Sequence, residues 1–388
     1  MHRQFAEIPL ITLVLNYFIR VLFNTHSTHQ LWPYLSKKSI ACQCIKRVTL
    51  LERVVAAMAV AQMRRRGETC LVVAMVSYVL LLMASTGARA QLRVGFYDSS
   101  CPAAEIIAQQ EVSKAVSADP GLAAGLLRLH FHDCFVGGCE ASVLIDSTSG
   151  NTAEKDAGPN KSLRGFEVID RIKARVEQAC FGVVSCADIL AFAARDGIAM
   201  AGGNGYQVPA GRRDGSVSRA QDTGGNLPPP TPNVQQLTQI FASKGLNQKD
   251  LVTLSGAHTI GGSHCSSFSS RLQTPSPTAQ DPTMDPGYVA QLGQQCSSGA
   301  SPGPLVPMDA VTPNTFDEGF YKGVMANRGL LASDQALLSD GNTALQVVTY
   351  ANDPATFQSD FAAAMVKMGY IGALTGSSGK IRANCRVA

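Results

Sequence analysis

Eight of the eleven cysteines lie beyond residue 90, at Cys101, Cys134, Cys139, Cys180, Cys186, Cys265, Cys296 and Cys385. No other feature limits the fold as strongly, because an even set of widely spaced thiols becomes a frame of crosslinks in an oxidising compartment. Spacing alone does not pair them, since eight cysteines permit on the order of 100 connectivities. The two close pairs, Cys134 with Cys139 and Cys180 with Cys186, lack the spacing of a zinc clamp.

An oxidising destination is also written upstream. Residues 63–90 run from an Arg triplet through the apolar stretch Leu71–Met83 to Ala88-Arg89-Ala90, which is the grammar of an export signal cleaved before Gln91. The apolar stretch is short for a membrane span, so a retained anchor is the weaker alternative and stable membrane insertion after processing is not expected. Residues 58–90 are therefore read as the signal, with Met58 or Met63 as its start, and 91–388 as the mature domain. Residues 1–57 hold a second apolar stretch, Ile8–Phe23, broken by Asn16 and Arg20. They read as an over-extended gene model, with a transit or anchor segment as the alternative.

Charge divides at the same place. The first 90 residues hold 11 of the 33 basic and 3 of the 29 acidic side chains, leaving 22 and 26 beyond, a net −4. A slightly acidic body without a basic run offers no electrostatic footprint for nucleic acid. With 45% hydrophobic and 16% charged residues the chain buries a large core. Apolar residues recur at three and four spacing in Cys101–Val116, Gly121–Cys134, Phe166–Ala179, Cys186–Ala199, Val234–Phe241, Phe316–Met325 and Phe357–Met368, which predicts an all-α body with little β structure. The Pro- and Gly-rich stretches 201–232 and 274–313 read as long ordered wraps between helices.

The stretch Leu126–Cys134 carries chemistry. At 3.6 residues per turn Arg128 and His132 share one face of a helix, while His130 points away from them. The arrangement is therefore no H-x-H metal clamp. A permanent cation beside an imidazole on an otherwise apolar helix suits proton transfer next to developing negative charge. A second piece, Leu254–Gly262, sets His258 among small residues, an arrangement that lets a large flat group approach the backbone.

At this point five ordered segments resemble one family. LLRLHFHDCFVGGC from 126, SCADIL at 185–190, GRRDG at 211–215, LSGAHTIG at 254–261 and NCRVA at 384–388 are similar to the class III secretory plant haem peroxidases. The resemblance covers 91–388 and implies an all-α fold of two helical domains around haem b (iron protoporphyrin IX). It implies His258 as the iron ligand, Asp334 accepting its Nδ1 hydrogen bond and so raising its basicity. It further implies His132 as the residue that takes a proton from one peroxide oxygen and returns it to the other, with Arg128 stabilising the separating charge. Asn160 would orient His132, and Glu154 would hold Asn160. Because that role buries Asn160, the sequon Asn160-Lys161-Ser162 is expected to carry no glycan.

The resemblance also implies two Ca2+ sites of oxygen ligands. Asp133, Glu140 and Ser142 with the carbonyls of Val136 and Gly138 match the distal one, and Thr259, Asp309, Thr312, Thr315 and Asp317 the proximal one. Glu140 stands where Asp is common, Gly137 where a larger polar residue is common, and Tyr206 where the family usually has Trp, so the mature body has no Trp. The implied disulfides are Cys101–Cys180, Cys134–Cys139, Cys186–Cys385 and Cys265–Cys296. Asp188 and Arg212 read as a buried structural ion pair, and His264 as a loop residue. Pro228 matches the contact for phenolic donors, and Gly158 and Ser267 in place of aromatic residues suggest a wide mouth. The expected protein is a secreted, monomeric enzyme using hydrogen peroxide and small phenolic donors. Two rival readings are weaker. A calcium-stabilised wall-binding protein would not retain Arg128, His132, Asn160, His258 and Asp334 together. A hydrolase would need a G-x-S-x-G or H-E-x-x-H motif.

Overall fold

Helices form wherever apolar residues recur at three- and four-residue spacing, as the computed structural model, which describes residues 91–272, 281–297 and 303–388, shows from its first element onward. The first group is α1 (Ala104–Ala118), α2 (Gly121–Phe135), α3 (Phe166–Ala179) and α4 (Cys186–Met200). Next come α5 (Val234–Ser243), α6 (Gln248–Ser255), the single turn α7 (Ser269–Leu272) and α8 (Pro286–Gln295). The last are α9 (Gly319–Met325), α10 (Ala332–Gln335), α11 (Gly341–Asn352) and α12 (Pro354–Met368). The described residues lie in one compact unit, Arg89–Ala388. The readings for 1–57 and for the 58–90 signal, with Trp32 and Cys42, Cys44 and Cys70, fall outside the described residues.

Each helix obeys a local rule. In α3, Val168, Ile169, Ile172 and Val176 form the buried stripe of an amphipathic helix. In α2 nearly every face is buried, as an interior helix requires. It lies so close to α4 that a Cβ on Gly197 would come within 3.2 Å of the Ala123 carbonyl oxygen. One continuous apolar core runs from α1 through α12, and a smaller one around Phe268, Tyr288, Leu292 and Val306 sits beneath the only sheet among the described residues. That sheet pairs β1 (Gly262–His264) antiparallel with β2 (Leu305–Pro307).

Several elements depart from the sequence reading. α6, α8 and α11 were not anticipated. Within the Pro/Gly-rich 274–313 stretch, Asp285 accepts from the Tyr288 N–H and Pro286 stands at the first helical position, so composition that reads as loop starts a helix. The same is true of Asn247 before α6 and Asp340 before α11, whose side chains cap helices lacking a long apolar stripe. His264 lies in β1 rather than in a loop, its Nδ1 against the Gly303 carbonyl at 3.0 Å.

Four disulfides close the frame: Cys101–Cys180, Cys134–Cys139, Cys186–Cys385 and Cys265–Cys296. The third spans 199 residues and ties the C-terminus to the start of α4. Beside it, Arg212 Nη1 donates to Asp188 Oδ1 at 2.8 Å and Nε to the Gly369 carbonyl at 2.9 Å. Asp188 Oδ2 accepts from Tyr97 Oη at 2.8 Å and from the Gly211 N–H at 2.7 Å. This buried pair is satisfied on both sides, the condition under which buried charge is tolerated.

Candidate active site

α2 carries Arg128 and His132 on one face, and the turn at 158–162 receives both. His132 Nδ1 lies 2.6 Å from Asn160 Oδ1. Asn160 Nδ2 donates to the Glu154 main-chain carbonyl at 2.8 Å, which fixes the amide with its oxygen toward the imidazole. His132 Nδ1 is therefore the protonated nitrogen and Nε2 the free acceptor. Burial, reinforced by the Arg128 charge and only partly offset by Asn160, lowers the His132 pKa to about 3, so the ring is neutral at physiological pH. Arg128 is held by the same turn, Nη2 donating to the Pro159 carbonyl at 2.9 Å and Nη1 to Ser162 Oγ at 3.0 Å. Sequence reading missed Pro159 and Ser162, since nothing local to α2 points to them. Glu154 supports Asn160 through its main-chain carbonyl. Asn160 is 1% exposed.

His258 sits in the tight turn Gly256–Thr259 that follows α6. Its Nδ1 donates to Asp334 Oδ1 at 2.8 Å, and Asp334 Oδ2 accepts from the Leu331 N–H at 3.0 Å. Burial pulls the His258 pKa down, but the Asp334 carboxylate outweighs it by charge and hydrogen bond, leaving it raised. With Nδ1 engaged, Nε2 is the available donor atom. The side chain keeps 39% of its surface accessible although burial is the largest influence on its titration. The flanking glycines serve close packing. A Cβ on Gly256 would meet Tyr321 Oη at 2.4 Å and one on Gly261 the Ala124 Cβ at 2.7 Å. The second contact brings the His258 turn against α2. The Arg128 charge depresses both His132 and His258, so both imidazoles lie within reach of one guanidinium.

His130, on the opposite face of α2, borders a cavity of about 10 Å³ with Tyr206 and Arg212. It also approaches Cys134 and Cys139, but their sulfurs are bonded to each other and bind no metal.

Two oxygen clusters adjoin the histidines. In the first, Asp133 Oδ2 accepts from the Ala141 N–H at 2.9 Å, and Asp133 is fully buried. Ser142 Oγ and Glu154 Oε2 are buried without a hydrogen-bond partner of ordinary geometry. The carbonyl of Val136 accepts from Lys244 Nζ at 3.4 Å and that of Gly138 from the Glu140 N–H at 2.7 Å. Burial raises the Asp133 and Glu140 pKa values and takes that of Glu154 to about 7, with neighbouring carboxylates adding to it and the Ala141 N–H at Asp133, the Arg382 charge at Glu140 and Ser142 at Glu154 partly offsetting it. Buried acids that repel one another around orphaned oxygens fit a divalent cation. In the second cluster, Thr259 Oγ1 donates to Asp317 Oδ1 and Thr312 Oγ1 to Asp309 Oδ2, each at 3.0 Å. A Cβ on Gly319 would lie 1.9 Å from Asp309 Oδ2 and 2.8 Å from Asp317 Oδ1, so both carboxylates converge there. Thr315 is exposed and joins by its main chain, its N–H bonding the Thr312 carbonyl at 3.0 Å.

Pro228 is half-buried in a loop tied to α10, the Ser333 N–H donating to the Pro230 carbonyl at 2.9 Å one residue before Asp334. Gly158 is exposed and Ser267 half-buried. No described helix is long and apolar enough to cross a membrane.

Residues 108–353 match the family model for peroxidase. The chain is 58% identical over 312 residues to Peroxidase 5 of Vitis vinifera, covering 80% of this chain and 95% of that protein. It is 50% identical over 316 residues to Peroxidase 1 of Oryza sativa subsp. japonica, 79% of this chain and 97% of the relative. Against Peroxidase 3 of Arabidopsis thaliana it is 48% identical over 323 residues, 82% and 99% of the two chains. A helical fold, two histidines influenced by one guanidinium and relatives of this closeness agree, and the chain belongs to the class III plant peroxidases, haem enzymes that reduce hydrogen peroxide at the expense of a reducing substrate.

Proposed function

We propose that His258 holds the iron of haem b through Nε2 and that His132, Arg128 and Asn160 form the peroxide-cleaving site, within a mature domain of residues 91–388. The observation that carries this reading is the His132–Asn160 hydrogen bond, which leaves a neutral imidazole with its Nε2 lone pair free beside a fixed cation. When bound, the haem supplies an iron that receives peroxide and stores oxidising equivalents. His132 Nε2 takes the proton from the nearer peroxide oxygen and delivers it to the departing one, so that water leaves. Arg128, pinned by Pro159 and Ser162, stabilises the charge that builds on the departing oxygen. Asp334 keeps the His258 tautomer and increases its donation to iron. The accessible face of the His258 ring supports this placement.

Two Ca2+ ions complete the protein, one at Asp133, Val136, Gly138, Glu140 and Ser142, the other at Thr259, Asp309, Thr312, Thr315 and Asp317. The donors are small phenols that meet the haem edge near Pro228. The four disulfides and the 63–90 signal grammar support secretion to the outside of the cell, and the net −4 of residues 91–388 supports a body that binds no nucleic acid; the enzyme works as a monomer free of the membrane. Asn160 carries no glycan. The test is protein expressed from Gln91, refolded with haem and calcium, then assayed by absorption spectrum and guaiacol oxidation. His132→Ala is expected to keep the haem and lose about 10²–10⁴-fold in the peroxide step. An unchanged rate in that variant, or an unchanged haem spectrum in His258→Ala, overturns the reading.

A further inference from the structure

We propose that Gly137 and Gly215 form the seat that admits a glutamate, in place of a shorter aspartate, as the carboxylate ligand at position 140 of the distal calcium site. This rests on the calcium reading above. A glutamate reaches about 1.5 Å farther from the main chain than an aspartate, so its carboxylate needs room that a normal side chain would fill. Two missing Cβ atoms supply that room. A Cβ on Gly137 would stand 2.8 Å from Glu140 Oε1, and one on Gly215 2.0 Å from Oε2 and 2.4 Å from Cδ. Around the Gly215 position the three nearest atoms all belong to the Glu140 carboxyl.

The reason for glycine here is space and not backbone handedness. Neither residue is among the glycines with positive φ, so alanine fits the main chain at both. The backbone cannot retreat either, because the Gly215 N–H donates to the Glu140 carbonyl at 2.8 Å and holds the two residues side by side. What yields to an added methyl is therefore the flexible end of Glu140, while the fold stays. The seat also aims the carboxylate, since the Gly137 position lies 3.5 Å from the orphaned Ser142 Oγ, bringing two ligand oxygens to the same side of that residue. Gly215 thus acts on the cation through Glu140 and is a positioning residue.

The experiment is a calcium titration of the haem-loaded enzyme against a chromophoric chelator, in wild type, Gly215→Ala, Glu140→Asp and the double variant. Gly215→Ala is expected to weaken one of the two calcium sites about tenfold or more. The same alanine added to Glu140→Asp is expected to change affinity by less than about threefold, because the shorter acid no longer reaches the methyl. An equal loss in both backgrounds, or no loss in either, overturns the proposal. Because both backgrounds carry the same alanine, a general folding defect appears as the equal loss. If Glu140→Ala leaves calcium stoichiometry and affinity untouched, the calcium reading itself fails, a result distinct from failure of the glycine seat.

Discussion

Asn160→Val removes the one side chain that both orients and sets the tautomer of His132. Valine keeps roughly the volume but leaves the buried His132 Nδ1–H without a partner and takes one of two donors from the Glu154 carbonyl, which keeps the Ala157 N–H at 3.0 Å. An orphaned buried donor costs about 1–3 kcal/mol, so a loss of about 1–3 kcal/mol in unfolding free energy is expected. Rotation or tautomer exchange of the freed ring points Nε2 away from peroxide, and losing such a partner typically lowers activity about 10–100-fold. Stopped-flow measurement of the haem absorbance change on mixing with peroxide isolates that step from donor oxidation. Asn160→Asp separates orientation from charge, because it keeps an acceptor at the same place and adds an anion. An opposite charge at hydrogen-bond distance favours the imidazolium, so the acid limb of the peroxide rate should move up by about one to three pH units. The sign follows from the lowered His132 pKa, since activity needs the neutral ring and is lost as pH falls through the pKa. A valine variant that reacts within about threefold of wild type, with an aspartate variant whose acid limb stays in place, refutes the role given to Asn160.

Arg212→Met leaves Asp188 charged and buried with only neutral donors, so urea unfolding of the haem-loaded enzyme should show a loss of about 3–5 kcal/mol with little change in the peroxide step. A loss below about 1 kcal/mol contradicts the structural pairing. Tyr97 has its pKa raised above the ordinary value of about 10 by burial and then by the Asp188 charge it donates to. A raised folded pKa contributes stability that is complete below pH 10 and lost as pH climbs beyond it, so unfolding free energy should fall from about pH 10 upward. Tyr97→Phe should flatten part of that fall, with Tyr206, Tyr288, Tyr321 and Tyr350, also raised by burial, contributing to the rest. An identical slope in the variant argues against Tyr97 as a contributor.

The parts of the site that lie on a helix face were legible, and those made by loops were not. Arg128 and His132 announce themselves because charge and imidazole four residues apart stand out on an apolar helix. Their partners do not, since Asn160 and Ser162 lie 28 and 34 residues farther along the chain and come from a tight turn without periodicity. The family resemblance supplied both Asn160 and Glu154, and what a sequence does not display is that the contact runs through the Glu154 carbonyl. The glycines around His258 were read as clearance for a flat group, yet Gly256 and Gly261 are small for Tyr321, Phe357 and Ala124. Glycine marks a close approach without saying what approaches. α8 was lost in Pro/Gly composition because the cap at Asp285 is a single-residue signal, outweighed by its surroundings.

The two histidines share a design that single residues do not reveal. Each ring is fixed through Nδ1 by a buried acceptor, Asn160 for His132 and Asp334 for His258, leaving Nε2 free. Each backbone is fixed by the next residue, since Asp133 binds the Ala141 N–H and Thr259 binds Asp317. The acceptors differ in charge, and the difference sets the chemistry. A neutral amide leaves His132 with a pKa near 3, a base that is free to accept and quick to return a proton. A carboxylate raises the pKa of His258 against the pull of burial, which makes its Nε2 a stronger donor to a metal. Exchanging the two acceptors should therefore damage both functions in opposite senses. Asn at 334 weakens the hold on iron, and Asp at 160 leaves the base protonated over more of the acidic range.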